Sequence, residues 1–97
     1  MDKREAVMAA QRYVNTISGK YQLSRALVFG SYVKGKQHSS SDIDVAIVMR
    51  QINNLFDTQV NLMQLRSDND LQIEPHAFRE AILTAMTLSY MKYYKMV

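Results

Sequence analysis

The alternation of apolar and polar stretches along the chain predicts three strands. Residues 24–29 form an apolar run that stops at Gly30, and residues 42–49 form a second run after a polar loop. Apolar runs of this length, bounded by turn residues, are typical of buried strands. Residues 70–74 alternate between polar and apolar side chains and predict a third strand, which Pro75 is expected to end.

Apolar residues at helical spacing predict two helices around these strands. Residues 2–18 predict the first, with Gly19 directly after its last turn. Asn53 or Asn54 can cap a second helix, which is expected to run to about Arg66. The apolar positions expected to be buried are Val7, Ala10, Val14 and Ile17 in the first helix and Phe56, Val60 and Met63 in the second.

The C-terminal segment, residues 78–96, is predicted as a third helix with apolar residues around much of its surface. Its two apolar stripes hold Phe78, Ile82, Ala85, Met86 and Tyr93, and Leu83, Leu88, Met91 and Tyr94. Methionine and tyrosine are common at contact surfaces, so the excess is consistent with a partner surface or a homo-oligomer formed through this helix. An ordinary terminal helix that wraps the core explains the pattern equally well.

Together these elements predict an α/β (α+β) fold, in which helices pack on one face of a small mixed β-sheet. A chain of 97 residues has room for one core, so residues 1–97 are expected to form a single domain. The chain contains no cysteine and no apolar run of membrane-spanning length, and its start is charged rather than signal-like. We therefore expect a cytoplasmic protein with no membrane partner.

The net charge of +3 does not by itself indicate a nucleic-acid partner. Basic residues are scattered along the chain, without the interleaved aromatic residues that single-strand binders use. Lys34 and Lys36 are the exception, because they lie in the polar loop between the first two strands. We expect no nucleic-acid binding.

Two carboxylates at the start of the second strand are the first candidates for chemistry. Asp42 and Asp44 are two residues apart, so in a strand they share one face at a spacing of about 6–7 Å. Adjacent carboxylates repel each other unless a cation lies between them, and oxygen ligands of this kind suit Mg²⁺. An Asp-x-Asp pair can also be an ordinary solvated strand edge.

Gly30 and Ser31, at the end of the first strand, are the second group of candidates. Glycine allows the backbone to approach a phosphate closely, and a helix that begins at Ser31 would direct free N–H groups at it. Taken alone, a Gly-Ser pair is usually a simple turn. The joint order of strand, Gly-Ser, polar loop, Asp-x-Asp and apolar strand favours a nucleotide site.

The sequence Leu-Val-Phe-Gly-Ser-Tyr-Val-Lys-Gly at 27–35, followed by Ser-Asp-Ile-Asp-Val-Ala-Ile-Val at 41–48, resembles a known signature. It is that of the DNA polymerase β-like nucleotidyltransferase superfamily. Within the superfamily the chain is similar to the minimal nucleotidyltransferases (MNT), which are commonly antitoxin-like partners of HEPN-domain proteins. The order of predicted elements extends the resemblance to nearly the whole chain.

The resemblance implies a Mg²⁺-dependent enzyme that transfers a nucleoside monophosphate, AMP from ATP, to an acceptor hydroxyl with release of pyrophosphate. In a toxin–antitoxin system that acceptor is a tyrosine of the HEPN-type partner. The nucleotide-binding residues it implies are Gly30, Ser31, Lys34, Asp42 and Asp44. Lys34 stands where the family often has arginine, which keeps the charge but loses bidentate phosphate binding.

The family pattern also requires a third carboxylate on a later strand. Glu74 is matched to it, and Asp70 is the alternative because strand alternation places it on the same face. The resemblance thus implies that Asp42, Asp44 and Glu74 are catalytic and hold one or two Mg²⁺ ions. His38 and His76 lack paired spacing with another histidine or cysteine, so no transition-metal site is expected. His38 could contact a nucleotide or take part in proton transfer, and His76 could line the pocket, but structural or solvent roles are favoured for both.

Two other functions are compatible with the same sequence. One is a non-catalytic antitoxin or binding module that neutralises a partner through its C-terminal helix. The other is a transferase acting on a small molecule or RNA, which would require an acceptor surface that this short chain does not obviously contain.

Overall fold

A computed structural model of the chain describes residues 3–29, 42–82 and 94–96. The helices are α1 (Lys3–Ser18) and α2 (Leu55–Gln64), and the strands are β1 (Leu23–Phe29), β2 (Ile43–Met49), β3 (Ile73–Arg79) and β4 (Tyr94–Met96). Short 3₁₀ turns occupy Asp68–Asp70 and Glu80–Ile82. Within these described ranges, neither helix is long and apolar enough to cross a membrane.

The four strands form one mixed sheet in the order β3-β2-β1-β4. β1 pairs antiparallel with both β2 and β4, and β2 pairs parallel with β3 through the crossover that contains α2. The main apolar core combines α1 and α2 with alternate residues of β1, β2 and β3. The predicted fold class, a small mixed sheet with helices on one face, is confirmed.

Small side chains on α1 let this helix lie close to the sheet. Its buried positions are Ala6, Ala9, Ala10, Tyr13 and Ile17. Val7 and Val14, which were expected on this face, are only half-buried. Burial raises the pKa of the Tyr13 hydroxyl, which donates a 2.6 Å hydrogen bond to the backbone oxygen of Leu62 and so connects α1 to α2.

The second helix begins where the sequence predicts but buries a different face. Asn54 caps it, because its side-chain oxygen accepts a 2.9 Å hydrogen bond from the Asp57 N–H. The expectation that Phe56 and Met63 are buried is wrong: Phe56 is 76% exposed and Met63 41% exposed, whereas Leu62 is fully buried. The reason is that α2 also attaches to the edge of β3 through the polar side chain of Gln59.

The third strand runs through Pro75 to Arg79 instead of ending at Pro75, so the predicted strand boundary is wrong. Ile43 donates its N–H to Gln72 O at 2.7 Å, and the alternation of a parallel ladder then directs the backbone of Pro75 away from β2. The missing N–H of Pro75 therefore removes no ladder bond. Gln59 Nε2 donates to Pro75 O at 2.6 Å, and Ala77 N–H donates to Gln59 Oε1 at 2.9 Å.

The predicted C-terminal helix over residues 78–96 is wrong at both ends. Phe78 and Arg79 are the last residues of β3, and Tyr94–Met96 is strand β4. β4 satisfies the edge of β1 that faces away from β2, with Phe29 opposite Tyr94 and Leu27 opposite Met96. Residues 83–93 lie outside the described residues. A homo-oligomer formed through the C-terminal segment stays a prediction.

Candidate active site

Three neighbouring strands place a row of functional side chains at one end of the sheet. Phe29 at the end of β1 pairs with Asp44 near the start of β2, and Asp44 pairs with Glu74 near the start of β3. Ile43, Val45 and Ile73 belong to the core beneath the helices. Because side chains alternate along a strand, this row lies on the opposite face of the sheet, away from α1 and α2.

The next row brings His76 to the same place. His76 follows Glu74 by two residues on β3, so both side chains share one face. Its register partner Ala46 carries only a methyl group, which leaves the imidazole room to reach toward Asp44. His76 Nε2 lies 3.1 Å from Asp44 Oδ1, and the ring packs against Phe29 with centroids 5.4 Å apart and a tilt of 57°.

Asp44, Glu74 and His76 form a compact group of possible ligands. One ligand atom from each lies within 4.8 Å of the other two. The side chains of His76 and Asp44 are 33% and 27% exposed, so the group is partly shielded while solvent still reaches it. A small cation or a reacting hydroxyl could therefore contact all three side chains at once.

The charges at this site are unfavourable for Glu74. Partial loss of solvent raises the pKa of its carboxyl group, and the negative charge of Asp44 raises it further. His76 acts in the opposite direction, while Asp42 adds a side-chain hydrogen bond and a further negative charge that both raise the Glu74 pKa. Three carboxylates thus gather at the start of β2 and β3, as repelling groups that a bound cation would stabilise.

The structure brings together three of the residues predicted from the sequence. Asp42 is an exposed residue immediately before β2, within hydrogen-bonding reach of Glu74, and Glu74 lies directly opposite Asp44. The predicted phosphate-binding residues Gly30, Ser31 and Lys34 lie outside the described residues. His38 lies outside them as well.

Asp70, the alternative third acid, serves another purpose. It lies in a 3₁₀ turn before β3 and is buried, with its Oδ1 accepting a 2.9 Å hydrogen bond from Arg12 of α1. Ser67 donates a second hydrogen bond, of 3.2 Å, to its Oδ2. Because α1 packs on the face opposite Asp44, Asp70 belongs to the helix side of the sheet and not to the site.

His76 is the site residue for which the sequence interpretation favoured a structural or solvent role over a place in the pocket. The search for paired histidine or cysteine spacing found no partner for it, because its partners are carboxylates on its own and the neighbouring strand. A signal was available, since Glu74-x-His76 is the same i, i+2 pattern that singled out Asp42 and Asp44. The expectation of a purely structural role depended on His76 lying at a strand end, but it lies inside β3.

A mixed sheet with helices on one face and carboxylates on adjacent strands of the other is an arrangement suited to handling phosphates with a metal ion. Comparison with known proteins specifies the class. Residues 11–89 match the model of the family described as "Polymerase beta, Nucleotidyltransferase". The chain belongs to this family, and it is a nucleotidyltransferase.

Individual relatives agree with this assignment. The chain is 28% identical over 89 residues to the "Putative protein adenylyltransferase MJ0141" of Methanocaldococcus jannaschii, with 88% of each chain covered. Its fold is similar to the crystal structure of a "putative nucleotidyltransferase" from Sulfolobus solfataricus, with a TM-score of 0.75, 20% identity, and coverage of 97% of this chain and 80% of that one. It is also similar to a chain of a toxin–antitoxin structure with AMP-PNP, with a TM-score of 0.55, 21% identity, and coverage of 99% and 72%.

Proposed function

We propose that this chain is a Mg²⁺-dependent protein adenylyltransferase that transfers AMP from ATP to a tyrosine hydroxyl of a HEPN-type partner, as the antitoxin of a toxin–antitoxin pair. The observation that carries the proposal is the pairing of Asp44 with Glu74 on the face of the sheet opposite α1 and α2, with Asp42 beside them. The names of the adenylyltransferase relative and of the toxin–antitoxin structure with AMP-PNP support the choice of donor and of acceptor class.

The donor chemistry of the site fits Mg²⁺. Asp42, Asp44 and Glu74 offer carboxylate oxygens, which are the ligands that this ion prefers. Partial burial, and then the negative charge of Asp44, raise the pKa of Glu74, so a cation here would favour its charged form. These three residues would hold the ion. When bound, it would neutralise charge on the triphosphate and on the departing pyrophosphate.

The side chains of this protein would then orient the reactants and accept a proton. The acceptor oxygen attacks the α-phosphorus, an O–P bond forms, and the bond from the α-phosphorus to the pyrophosphate oxygen breaks. The hydroxyl proton passes to a carboxylate oxygen of Asp44 or Glu74, the two acids that lie opposite each other on adjacent strands. Gly30, Ser31 and Lys34 are proposed to bind the phosphates, and they follow Phe29, the register partner of Asp44.

The test is transfer of radiolabel from α-labelled ATP to the protein encoded beside this chain. We expect labelling that requires Mg²⁺ and falls by at least about a hundredfold in Asp42→Asn and Asp44→Asn, since each change removes charge stabilisation in the transition state. Asp68→Asn is the matched control, because Asp68 is an exposed carboxylate in the 3₁₀ turn before β3. Undiminished labelling by the two site variants would contradict the proposal.

The alternative of a non-catalytic binding module depended on a C-terminal helix. The strands at residues 78–79 and 94–96 remove the two ends of that helix. The same experiment addresses this alternative directly: tight partner binding that survives Asp42→Asn and Asp44→Asn, without any label transfer, would favour it over the enzyme.

A further inference from the structure

The imidazole of His76 introduces a nitrogen donor into a site that the family resemblance describes with carboxylates alone. The ring enters from β3, between Phe29 on one side and Asp44 on the other. Packing against Phe29 restricts the ring, so that its Nε2 is held toward the carboxylates. Its position is therefore determined by two neighbouring strands and not by a loop.

The separation of His76 Nε2 from Asp44 Oδ1 fits two ligands of one ion. Adjacent ligands of an octahedral cation, with bonds of about 2.1 Å at right angles, lie about 3.0 Å apart. The observed 3.1 Å equals that separation and is also an ordinary hydrogen-bond distance. One ligand atom each of Asp44, Glu74 and His76 lie within 4.8 Å of one another, so modest side-chain rotation closes a three-ligand site.

Asp42 has a different relation to this group. It lies within hydrogen-bonding reach of Glu74, whereas the atoms that converge within 4.8 Å come from Asp44, Glu74 and His76. His76 therefore adds a nitrogen donor beside the carboxylates of Asp42, Asp44 and Glu74 and does not replace any of them.

We propose that His76 Nε2 is a direct metal ligand together with Asp44 and Glu74, and that the site consequently binds a first-row transition ion such as Mn²⁺ more tightly than Mg²⁺. Imidazole is a good ligand for the transition ions, whereas Mg²⁺ prefers oxygen. The inference rests on the proposed function, because it assigns the metal of the same site.

Mn²⁺ itself is the probe, since its electron spin reports coordinated nitrogen directly. The purified protein is titrated with Mn²⁺ and with Mg²⁺ by calorimetry, and the Mn²⁺ complex is examined by pulsed electron paramagnetic resonance. We expect Mn²⁺ to bind at least about tenfold more tightly than Mg²⁺, with a hyperfine coupling from one imidazole nitrogen. These measurements on the unaltered protein need no assay of activity.

Substitutions of the two histidines show which of them supplies the coordinated nitrogen. The chain has two histidines, so His38→Gln is the matched control for His76→Gln. We expect His76→Gln to lose the nitrogen coupling and to weaken Mn²⁺ binding by about tenfold, with less than about threefold change for Mg²⁺, while His38→Gln keeps the coupling. His76→Phe retains a ring against Phe29 without a donor, and it should lose the coupling in the same way.

The outcomes separate this inference from the proposed function. Mn²⁺ bound without a coupled nitrogen, or with an affinity that His76→Gln leaves unchanged, would overturn the inference and make His76 only a hydrogen-bond donor to Asp44. Metal-dependent label transfer would survive that result. Failure of both Mn²⁺ and Mg²⁺ to bind, with ATP present or absent, would overturn the proposed function as well.

Discussion

The two faces of the sheet use the same strands for opposite purposes. On the helix face of β2, Ile43, Val45 and Ile47 are completely buried in a continuous apolar core. On the other face, the same strand presents Asp44 within a group of carboxylates and an imidazole. Burial of apolar side chains on the helix face stabilises the fold. The other face also buries a smaller apolar cluster, but at its Asp44 end it holds carboxylates that repel each other.

The difference shows how a chain of this size can keep a costly site in position. Alternation along each strand fixes Asp44 one residue from Ile43 and Val45, so the core determines where the carboxylate lies. The parallel register does the same for Glu74, between Ile73 and Pro75. The site is therefore built on strands that the core holds in place. The repulsion among its carboxylates is offset by the burial of apolar side chains on the helix face of the same strands.

The largest effect is expected on the helix face. Ile47→Ala removes a fully buried side chain from the centre of β2 and should lower the free energy of unfolding by about 2–5 kcal/mol, from lost burial and the cavity left behind. Urea denaturation measures it. Phe56→Ala is the control: Phe56 is the larger side chain but is exposed on α2, so a change within about 0.5 kcal/mol is expected. Equal losses would contradict this account of the core.

A smaller loss of stability is expected at the buried carboxylate of Asp70, on the helix side of the sheet. Arg12→Ala leaves the buried carboxylate of Asp70 without its 2.9 Å partner, which should cost about 1–3 kcal/mol in unfolding free energy. Arg50→Ala is the matched control, because the Arg50–Glu80 pair is 3.6 Å apart and Arg50 is 85% exposed, so it should cost at most about 1 kcal/mol. Thermal unfolding of both variants checks this order, and the reverse order would refute it.

The side chain of Gln59 on α2 forms hydrogen bonds with the outer edge of β3. Gln59→Ala leaves the Pro75 carbonyl and the Ala77 N–H without their partners, at an expected cost of about 1–2 kcal/mol. Hydrogen exchange at Ala77 should accelerate, because that N–H would then face water. Gln64→Ala, at an exposed glutamine of the same helix, should leave the exchange rate unchanged. An unaltered rate in Gln59→Ala would show that the edge does not depend on this side chain.

Local sequence signals were sufficient for the parts of the fold where one pattern dominates. The apolar runs of β1 and β2 and the capping asparagine of α2 each follow from a few adjacent residues, and the structure contains all three. The family resemblance indicated Glu74 as the third acid beside Asp44, with Asp70 as the alternative on the same strand face. The register that places Glu74 and Asp44 opposite each other could not be read from either strand alone, because it depends on the crossover between β2 and β3.

The predictions are wrong where a residue far away in the sequence determines the local structure. Pro75 usually ends strand pairing, but here its outward backbone meets Gln59 from α2, which no local pattern indicates. Residues 78–96 have helical spacing, yet Tyr94–Met96 pairs with the open edge of β1, about 65 residues earlier in the chain. The contact between His76 and Asp44 could not be predicted for the same reason, since Asp44 becomes its neighbour only in the folded sheet.

The smallest expected effect on stability is on the site face, and its sign is opposite to the others. Glu74→Gln removes one of the repelling charges, so without metal at neutral pH the variant should be more stable, by less than about 1 kcal/mol given the exposure of Glu74. The folded-state pKa of Glu74 lies above its ordinary value of 4.5, so its ionisation costs stability. The two proteins should therefore be equally stable well below pH 4.5 and diverge as the pH rises through the Glu74 pKa. Melting temperatures across this range measure the difference.

Added metal should reverse that order. A cation that binds the folded protein at a hundred times its dissociation constant adds about 2.7 kcal/mol of stability, and Glu74→Gln should receive much less because it loses a ligand. The unaltered protein would then be the more stable of the two, and label transfer should fall in the variant even though its metal-free fold is stronger. If Glu74→Gln were instead the less stable protein without metal, Glu74 would contribute to folding directly. The contrast between a helix face that stabilises the fold and a site whose charges destabilise it would then not hold for Glu74.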